Sequence, residues 1–302
     1  MFKNTKKNIN WLVEEFTSID MVAAIQPSNV RSSETVTVIQ SGKKKVEFVS
    51  CKTTNDEKGR PMNTKNFNEI GKVEEEYKYR YEGNMQYIEL YEKGKKSCEW
   101  INTYSDKLNL LRSEYYETTD DSHDIESFEY DEEGRLVKIL IDVYPQEVED
   151  EEPPTGFEVE WDENRVKCIS EFYGDEEEAR IEFSYDADHK VTGVKKIMFL
   201  IDEDDNDAEE IMDEQKPVYN EAGQLIENTI YYYTSNSKLV IQYEYAPGTD
   251  NINRTVHIEY ENGKAVRSIE FYEDEQGNLI KSIENYHLNS VIKTETYSYV
   301  YA

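Results

Sequence analysis

The sequence predicts an all-β protein: a long antiparallel meander of hairpin repeats in one twisted or partly closed sheet, with a single amphipathic helix near the N-terminus. Three observations carry that expectation. Runs such as Glu76-Tyr77-Lys78-Tyr79-Arg80-Tyr81 alternate aromatic and charged residues with the period of a strand. A unit recurs in which an aromatic residue and an acid or amide precede a tight reversal, and an aliphatic residue opens the return run. Tyrosine, at 24 copies against 10 Phe, supplies the apolar body and polar tip that suit a half-wet sheet face, with cross-strand packing as its main role and interface anchoring as a second.

From about residue 7 to 25, Ile9, Leu12, Val13, Phe16 and Ile19 fall at helical spacing beside Trp11, Glu14 and Glu15 lie opposite, and Pro27 ends the run. This helix is expected to lie as a lid over the open end of the sheet. Thr35-Val36-Thr37-Val38-Ile39 and Val46-Glu47-Phe48-Val49-Ser50 then flank Ser41-Gly42 as a first hairpin. Asp56-Glu57-Lys58-Gly59-Arg60 makes a turn, but Pro61 follows where a strand should leave, so the polar, Asn-rich stretch to Ile70 reads as a loop or a degenerate repeat. Residues 1–70 are thus expected to cap a repeat body spanning 71–302.

In that body, turns fall at Glu82-Gly83-Asn84, at Lys93-Gly94-Lys95 and near Ser105-Asp106. The fullest unit is Tyr130-Asp131-Glu132-Glu133-Gly134-Arg135-Leu136, in which Gly accepts the positive φ of the reversal and Asp hydrogen-bonds its own backbone. Looser copies begin at Trp161, Tyr185, Tyr219, Tyr260 and Tyr272. Strands this close, joined by short turns, are antiparallel neighbours. Phe157, Val159 and Trp161 share one face while Glu158 and Glu160 share the other, and Ile181, Phe183 and Tyr185 repeat the pattern around Glu182. An apolar face that broad must be covered, so the sheet curls, closes partly into a barrel, or folds as two facing halves.

Charge narrows the function classes. Lys and Arg total 34 against 65 Asp and Glu, a formal net charge of −31, so nucleic acid and anionic membrane surfaces are repelled and a basic protein is the favoured partner. Cys51, Cys98 and Cys168 are scattered and odd in number, which suits neither a disulfide framework nor a zinc site and is expected of thiols in a reducing compartment. Glu14, Glu15 and Asp20 interrupt the apolar residues that would make the basic N-terminus a secretory signal, so the expected location is the cytoplasm.

The Tyr-Asp-x-x-Gly-Arg-Leu unit, best at 130–136 and looser at 219–225, resembles the YD repeats of the Rhs family. In that family very long arrays form hollow β shells around toxin domains; this chain is far shorter. Short acidic proteins with similar hairpins resemble immunity proteins of polymorphic-toxin loci, which implies a cytoplasmic protein that neutralises a cognate toxin.

In a meander every second turn lies at the same edge. Counting from Asp131, the turns near 132, 163, 187 and 221 share one edge, which puts the loops 117–124, 146–152, 174–178 and 202–210 at the other. All four are acid-rich, and their residues Asp120, Asp121, Glu149, Asp150, Glu151, Glu152, Asp175, Glu176, Glu177, Asp202, Asp204 and Asp205 are the expected binding surface for a basic partner. Asp202, Asp204 and Asn206 match the first ligands of an EF-hand loop, but Asp207 replaces the turn Gly and Asp213 the final Glu, so no metal site is expected. His123, His189, His257 and His287 are isolated, and His257 is placed on the polar face of its strand. With no nucleophile elbow, phosphate loop or dinucleotide fingerprint, neither an enzyme nor a cofactor is expected. The rival functions are a structural YD-repeat protein without a toxin partner and an enzyme with an acidic site.

Overall fold

The computed structural model describes residues 30–118, 123–144, 155–201 and 207–301. The first strands are β1 (Val30–Ser41), β2 (Lys44–Asn55), β3 (Pro61–Phe67), β4 (Val73–Glu82), β5 (Met85–Glu92), β6 (Lys95–Tyr104) and β7 (Leu110–Glu117). Next come β8 (His123–Tyr130), β9 (Leu136–Tyr144), β10 (Thr155–Asp162), β11 (Arg165–Tyr173), β12 (Glu176–Tyr185), β13 (Val191–Ile201) and β14 (Asp207–Tyr219). The series ends with β15 (Leu225–Tyr232), β16 (Ser237–Tyr245), β17 (Ile252–Glu261), β18 (Lys264–Glu273), β19 (Leu279–Tyr286) and β20 (Val291–Tyr301). Successive strands pair antiparallel, and β1 pairs with β20 as well as with β2, so the meander closes into a barrel. Closure removes the two edges that a β1-to-β20 ribbon would leave open.

Two expectations need correction. Residues 30–67 do not cap the sheet; they are three of its staves. The stretch after Pro61 is strand β3, because a proline at a first strand position withdraws no ladder bond from the interior. Its asparagines serve the sheet, Asn63 Nδ2 donating to Glu76 at 2.8 Å and Asn66 Nδ2 to Glu75 at 2.9 Å. The helix expected over 7–25 lies outside the described residues.

Alternation sets the two walls. On β5, Gln86, Ile88 and Leu90 are buried while their neighbours are not. Following the register around the sheet keeps one face continuous: Phe128 opposes Ile139, which opposes Phe157, and Val159, Ile169 and Ile181 follow in a row. Phe128, Ile139, Phe157, Val159, Ile169, Ile181 and Val194 form the buried cluster, so this face is the inner wall. The outer wall carries the charges of the other phase. Lys138 pairs across strands with Glu158 at 2.9 Å, Lys52 with Glu34 at 2.8 Å and Lys65 with Glu76 at 3.3 Å.

The recurring turn unit has one geometry. At 56–60, 105–109, 131–135, 186–190, 220–224 and 274–278, the first residue's N–H donates to the fifth carbonyl and the fourth N–H donates back to the first carbonyl. The first side chain accepts the fifth N–H, as Asp56 does from Arg60 at 2.9 Å and Asp131 from Arg135 at 2.8 Å. The fourth residue has positive φ, +80° at Gly134 and +65° at His189, which gives that histidine a turn role. These six turns sit on the rim that also carries the β10–β11 turn, here the turn rim; a seventh of the same geometry, at 68–72, joins β3 to β4 at the opposite end, the loop rim.

Just inside the turn rim runs an aromatic belt. Tyr130 Oη donates to the Leu110 carbonyl at 2.8 Å, Trp161 Nε1 to Leu136 at 2.9 Å, Tyr185 to Val166 at 2.7 Å, Tyr245 to Leu225 at 2.9 Å and Tyr299 to Leu279 at 2.7 Å. Each bond ties the last stave of one hairpin to the opening of the stave beside it. The cation that closes a turn overlies the next aromatic, Arg60 above Tyr81 at 4.1 Å and Arg135 above Trp161 at 5.2 Å. Each recurring letter of the repeat therefore has a physical task.

Candidate functional site

The loop rim is where β7–β8, β9–β10, β11–β12 and β13–β14 connect, since each even-numbered strand runs toward the turn rim. Asp120, Asp121, Glu149, Asp150, Glu151, Glu152, Asp202, Asp204 and Asp205 lie outside the described residues, in the connections between those staves. Asp175 and Glu176 are exposed at the β11–β12 turn, beside exposed Glu178. Glu177 has a different task. Burial would raise its carboxyl, but the Arg180 guanidinium, donating from Nε at 2.8 Å, holds it below the usual range. It is a structural ion-pair member.

Charge is spread unevenly around this rim. Around β7–β14 it gathers Glu117, Asp175, Glu176, Glu178, Glu209 and Glu210, whereas the β1–β6 arc carries Lys43, Lys44, Lys45, Lys72, Lys93 and Lys95 among the acids Glu69, Glu74 and Glu92. Among the described residues, Asp175, Glu176 and Glu178 make no ion pair. Among the described residues the rim is therefore the more negative on its β7–β14 side.

Below that arc the inner wall holds a cavity of ≈ 410 Å³, lined by Glu171, Glu178, Ala179, Lys196, Met198, Met212, Asp213, Tyr232, Thr234 and Ser235. Register explains the gathering: Lys196 opposes Ile181 on one side and Asp213 on the other, and Asp213 opposes Tyr232. Lys196 Nζ lies 3.9 Å from Glu171. Burial pushes the Asp213 carboxyl above its ordinary range, with Lys196 pulling the other way. The chemistry on offer is cation recognition between apolar side walls.

The wall holds other ionisable groups that sequence reading passed over. Glu126 shares the inner phase with Phe128, and burial, aided by the charge of Asp124, pushes it up to about 7. His257 corrects an expectation: it stands on the inner face, opposite Ile241 and Ile269 and edge-on to Phe271 at 5.2 Å. Burial lowers its pKa from the ordinary imidazole value, with Glu259 pulling the other way. A signal for all these groups exists in the sequence, a charged residue in the apolar phase: Lys196 between Val194 and Met198, Glu171 after Ile169, Glu126 before Phe128. Among the described residues no His, Cys, Asp and Glu group has the spacing to hold a metal. Residues 207–213 run as the start of β14, extended where a twelve-residue cation loop would have to curl.

No family model matches the chain, and no curated protein matches it. Among solved structures it is similar to a porin-like protein from Bacteroides uniformis, at 10% identity and a TM-score of 0.40, covering 91% of this chain and 100% of that one. A porin-like protein from Bacteroides vulgatus gives 12% identity and a TM-score of 0.32, over 90% of this chain and 98% of that one. TcdB2-TccC3 gives 11% identity and a TM-score of 0.36 over 88% of this chain and 19% of that one. None of these likenesses assigns a family or an activity to the chain.

Proposed function

We propose that the chain is a non-catalytic cytoplasmic binding protein, an immunity protein that neutralises a basic bacterial toxin by laying the acidic arc of its loop rim over it. The observation that carries this reading is the contrast in how carboxylates are held. At the turn rim the leading acids Asp56 and Asp131 are spent on their own turns, accepting backbone N–H groups and an arginine. At the β11–β12 turn of the loop rim Asp175, Glu176 and Glu178 stand exposed with no ion pair among the described residues. A nuclease fits best, because a surface that binds phosphates is already basic.

The outer wall supports a barrel that stands in water. Membrane barrels present an apolar band to lipid, and a Lys or Arg at mid-membrane costs roughly 2–4 kcal/mol. Here Lys138 and Glu158, Lys167 and Glu160, and Lys216 and Glu214 all lie on the outward phase. The resemblance of the repeat to the YD unit supports the toxin-locus setting.

The test is direct. The purified chain is mixed with a basic nuclease toxin domain, chosen from the neighbours of its gene where one is encoded there, and nuclease activity and complex formation are followed at low and high salt. One-to-one inhibition that weakens with salt is expected. Undiminished nuclease activity with no complex at low salt would sink the proposal.

A further inference from the structure

We propose that the cavity under the acidic arc is the seat of a single lysine or arginine side chain from the basic partner, which makes it the specificity pocket of that interface. The inference rests on the reading of the loop rim as a protein-binding surface and adds to it a defined point of entry.

Met198, Met212, Tyr232 and Ala179 give it apolar sides. A long cationic side chain carries a stem of methylenes that must lie against such surface while its head finds charge. Two methionines make the sides adaptable to either stem. The charge is in surplus, three carboxylates against one ammonium, and Lys196 stands beside Glu171. Lys196 also faces Asp213 across the β13–β14 ladder, so one ammonium is shared by two carboxylates. Glu178 makes no ion pair among the described residues, and the wall keeps a net negative charge for an incoming cation. Glu178 and Asp213 sit at different depths: Glu178 is exposed and Asp213 half-buried, next to Lys196 and Tyr232 on the inner wall. A side chain entering from the rim passes the first and ends at the second. An anion would meet three carboxylates against one ammonium, and a wholly apolar group would bury that surplus unanswered, so both are rejected.

The volume, ≈ 410 Å³, holds one such side chain and does not admit a strand or helix. A free polyamine shares the same head-group chemistry. The proposal commits to the protein side chain because the cavity opens beneath the exposed acids Asp175, Glu176 and Glu178, which would engage the surface around it.

The test uses the full chain with methyl-labelled methionines, and the probes are N-acetyl-arginine amide and a hexa-arginine peptide at low salt. Saturable shifts of the Met198 and Met212 methyls with both probes are expected, with Met62 and Met85 unmoved. Asp213→Asn, nearly isosteric, should weaken the peptide about tenfold, and Asp175→Asn, outside the cavity, by much less. Thermal melts of both variants check that folding is kept. If hexa-arginine binds but the two methyls stay still and the two variants weaken it equally, the pocket is overturned and the acidic rim stands. If hexa-arginine fails to bind, the rim reading falls and the pocket with it. If putrescine shifts the methyls and neither arginine probe does, the seat belongs to a small polyamine and the proposal is overturned.

Discussion

At the turn rim two leading acids of the turn units are answered on the spot, Asp56 by Arg60 at 2.7 Å and Asp131 by Arg135 at 2.6 Å, whereas at the loop rim Asp175, Glu176 and Glu178 meet no cation among the described residues. Both rims belong to the same staves, so the difference is one of use. Asp56 and Asp131 accept backbone N–H bonds, close a reversal with a positive-φ glycine and hold an arginine over the next aromatic ring. Both are consumed by the fold, while Glu57, Glu132 and Glu221 on the same rim stand exposed. At the β11–β12 turn Glu177 is likewise held by Arg180, and Asp175, Glu176 and Glu178 make no ion pair among the described residues. The lesson is that overall acidity says little about a surface until the paired acids are set aside.

That comparison can be broken from either side. The largest effect is expected at the loop rim: reversing Glu149, Asp150, Glu151 and Glu152 to lysine should slow association with a basic partner by about 100-fold at low salt. The melting temperature should hardly move. Stopped-flow association against ionic strength checks it, and an unchanged rate would show that the arc does not steer. At the turn rim the opposite pattern is expected. Gly134→Val places a branched residue at φ +80°, where a new Cβ has room, 3.7 Å from Asn109, so the cost is backbone strain of about 2 kcal/mol. Urea denaturation reads that loss, and partner association should be untouched.

The same contrast explains what the sequence could reveal. Turn chemistry is local, so the five-residue unit, the alternation of Phe157, Val159 and Trp161, and the antiparallel meander were all legible in short windows. Closure was not, because it depends on β1 finding β20 across the whole chain, and no local pattern encodes that distance. Strand β3 reads in the sequence as a loop or a degenerate repeat because Pro61 and a run of asparagines signal a loop, while the side-chain bonds from Asn63 and Asn66 that support it reach to β4. His257 was misplaced for a related reason: its face is set by its partners Ile241 and Ile269, and a bulge between Glu259 and Tyr260 shifts the apparent phase. The acidic loops were visible as composition. The cavity beneath them was not, since Glu171, Lys196, Asp213 and Tyr232 come from four separate strands.

Between the rims lies Glu126, whose contribution depends on pH. Its ordinary value is 4.5 and its folded value about 7, so the folded state holds the proton more tightly. Below pH 4.5 both states are protonated and there is no penalty. As pH rises from 4.5 to 7 the unfolded chain ionises first and stability falls; above 7 the penalty is constant. The shift corresponds to roughly 3 kcal/mol before screening, and partial solvent access brings the expected figure to about 1–2 kcal/mol. Glu126→Gln should therefore raise the melting temperature at pH 8 and leave it unchanged near pH 4.5. An equal gain at both values would mean that packing, and not ionisation, sets the effect.

The smallest effect tests whether the aromatic belt does what the geometry assigns to it. Tyr130→Phe keeps the ring, its area and its contacts with the buried cluster, and removes one hydroxyl that donates to the Leu110 carbonyl at 2.8 Å. Burial has already pushed that hydroxyl up to about 12, so it is a donor at every working pH. A buried carbonyl that loses its donor costs about 1 kcal/mol. The same change at Tyr173, exposed at the loop rim end of β11, should cost almost nothing. If Tyr130→Phe and Tyr173→Phe lower stability equally, the belt bonds are incidental and the tyrosines serve the barrel only as apolar surface. If Tyr130→Phe alone is costly, repeating it at Tyr185, Tyr245 and Tyr299 should lower stability additively, because each bond joins a different pair of staves.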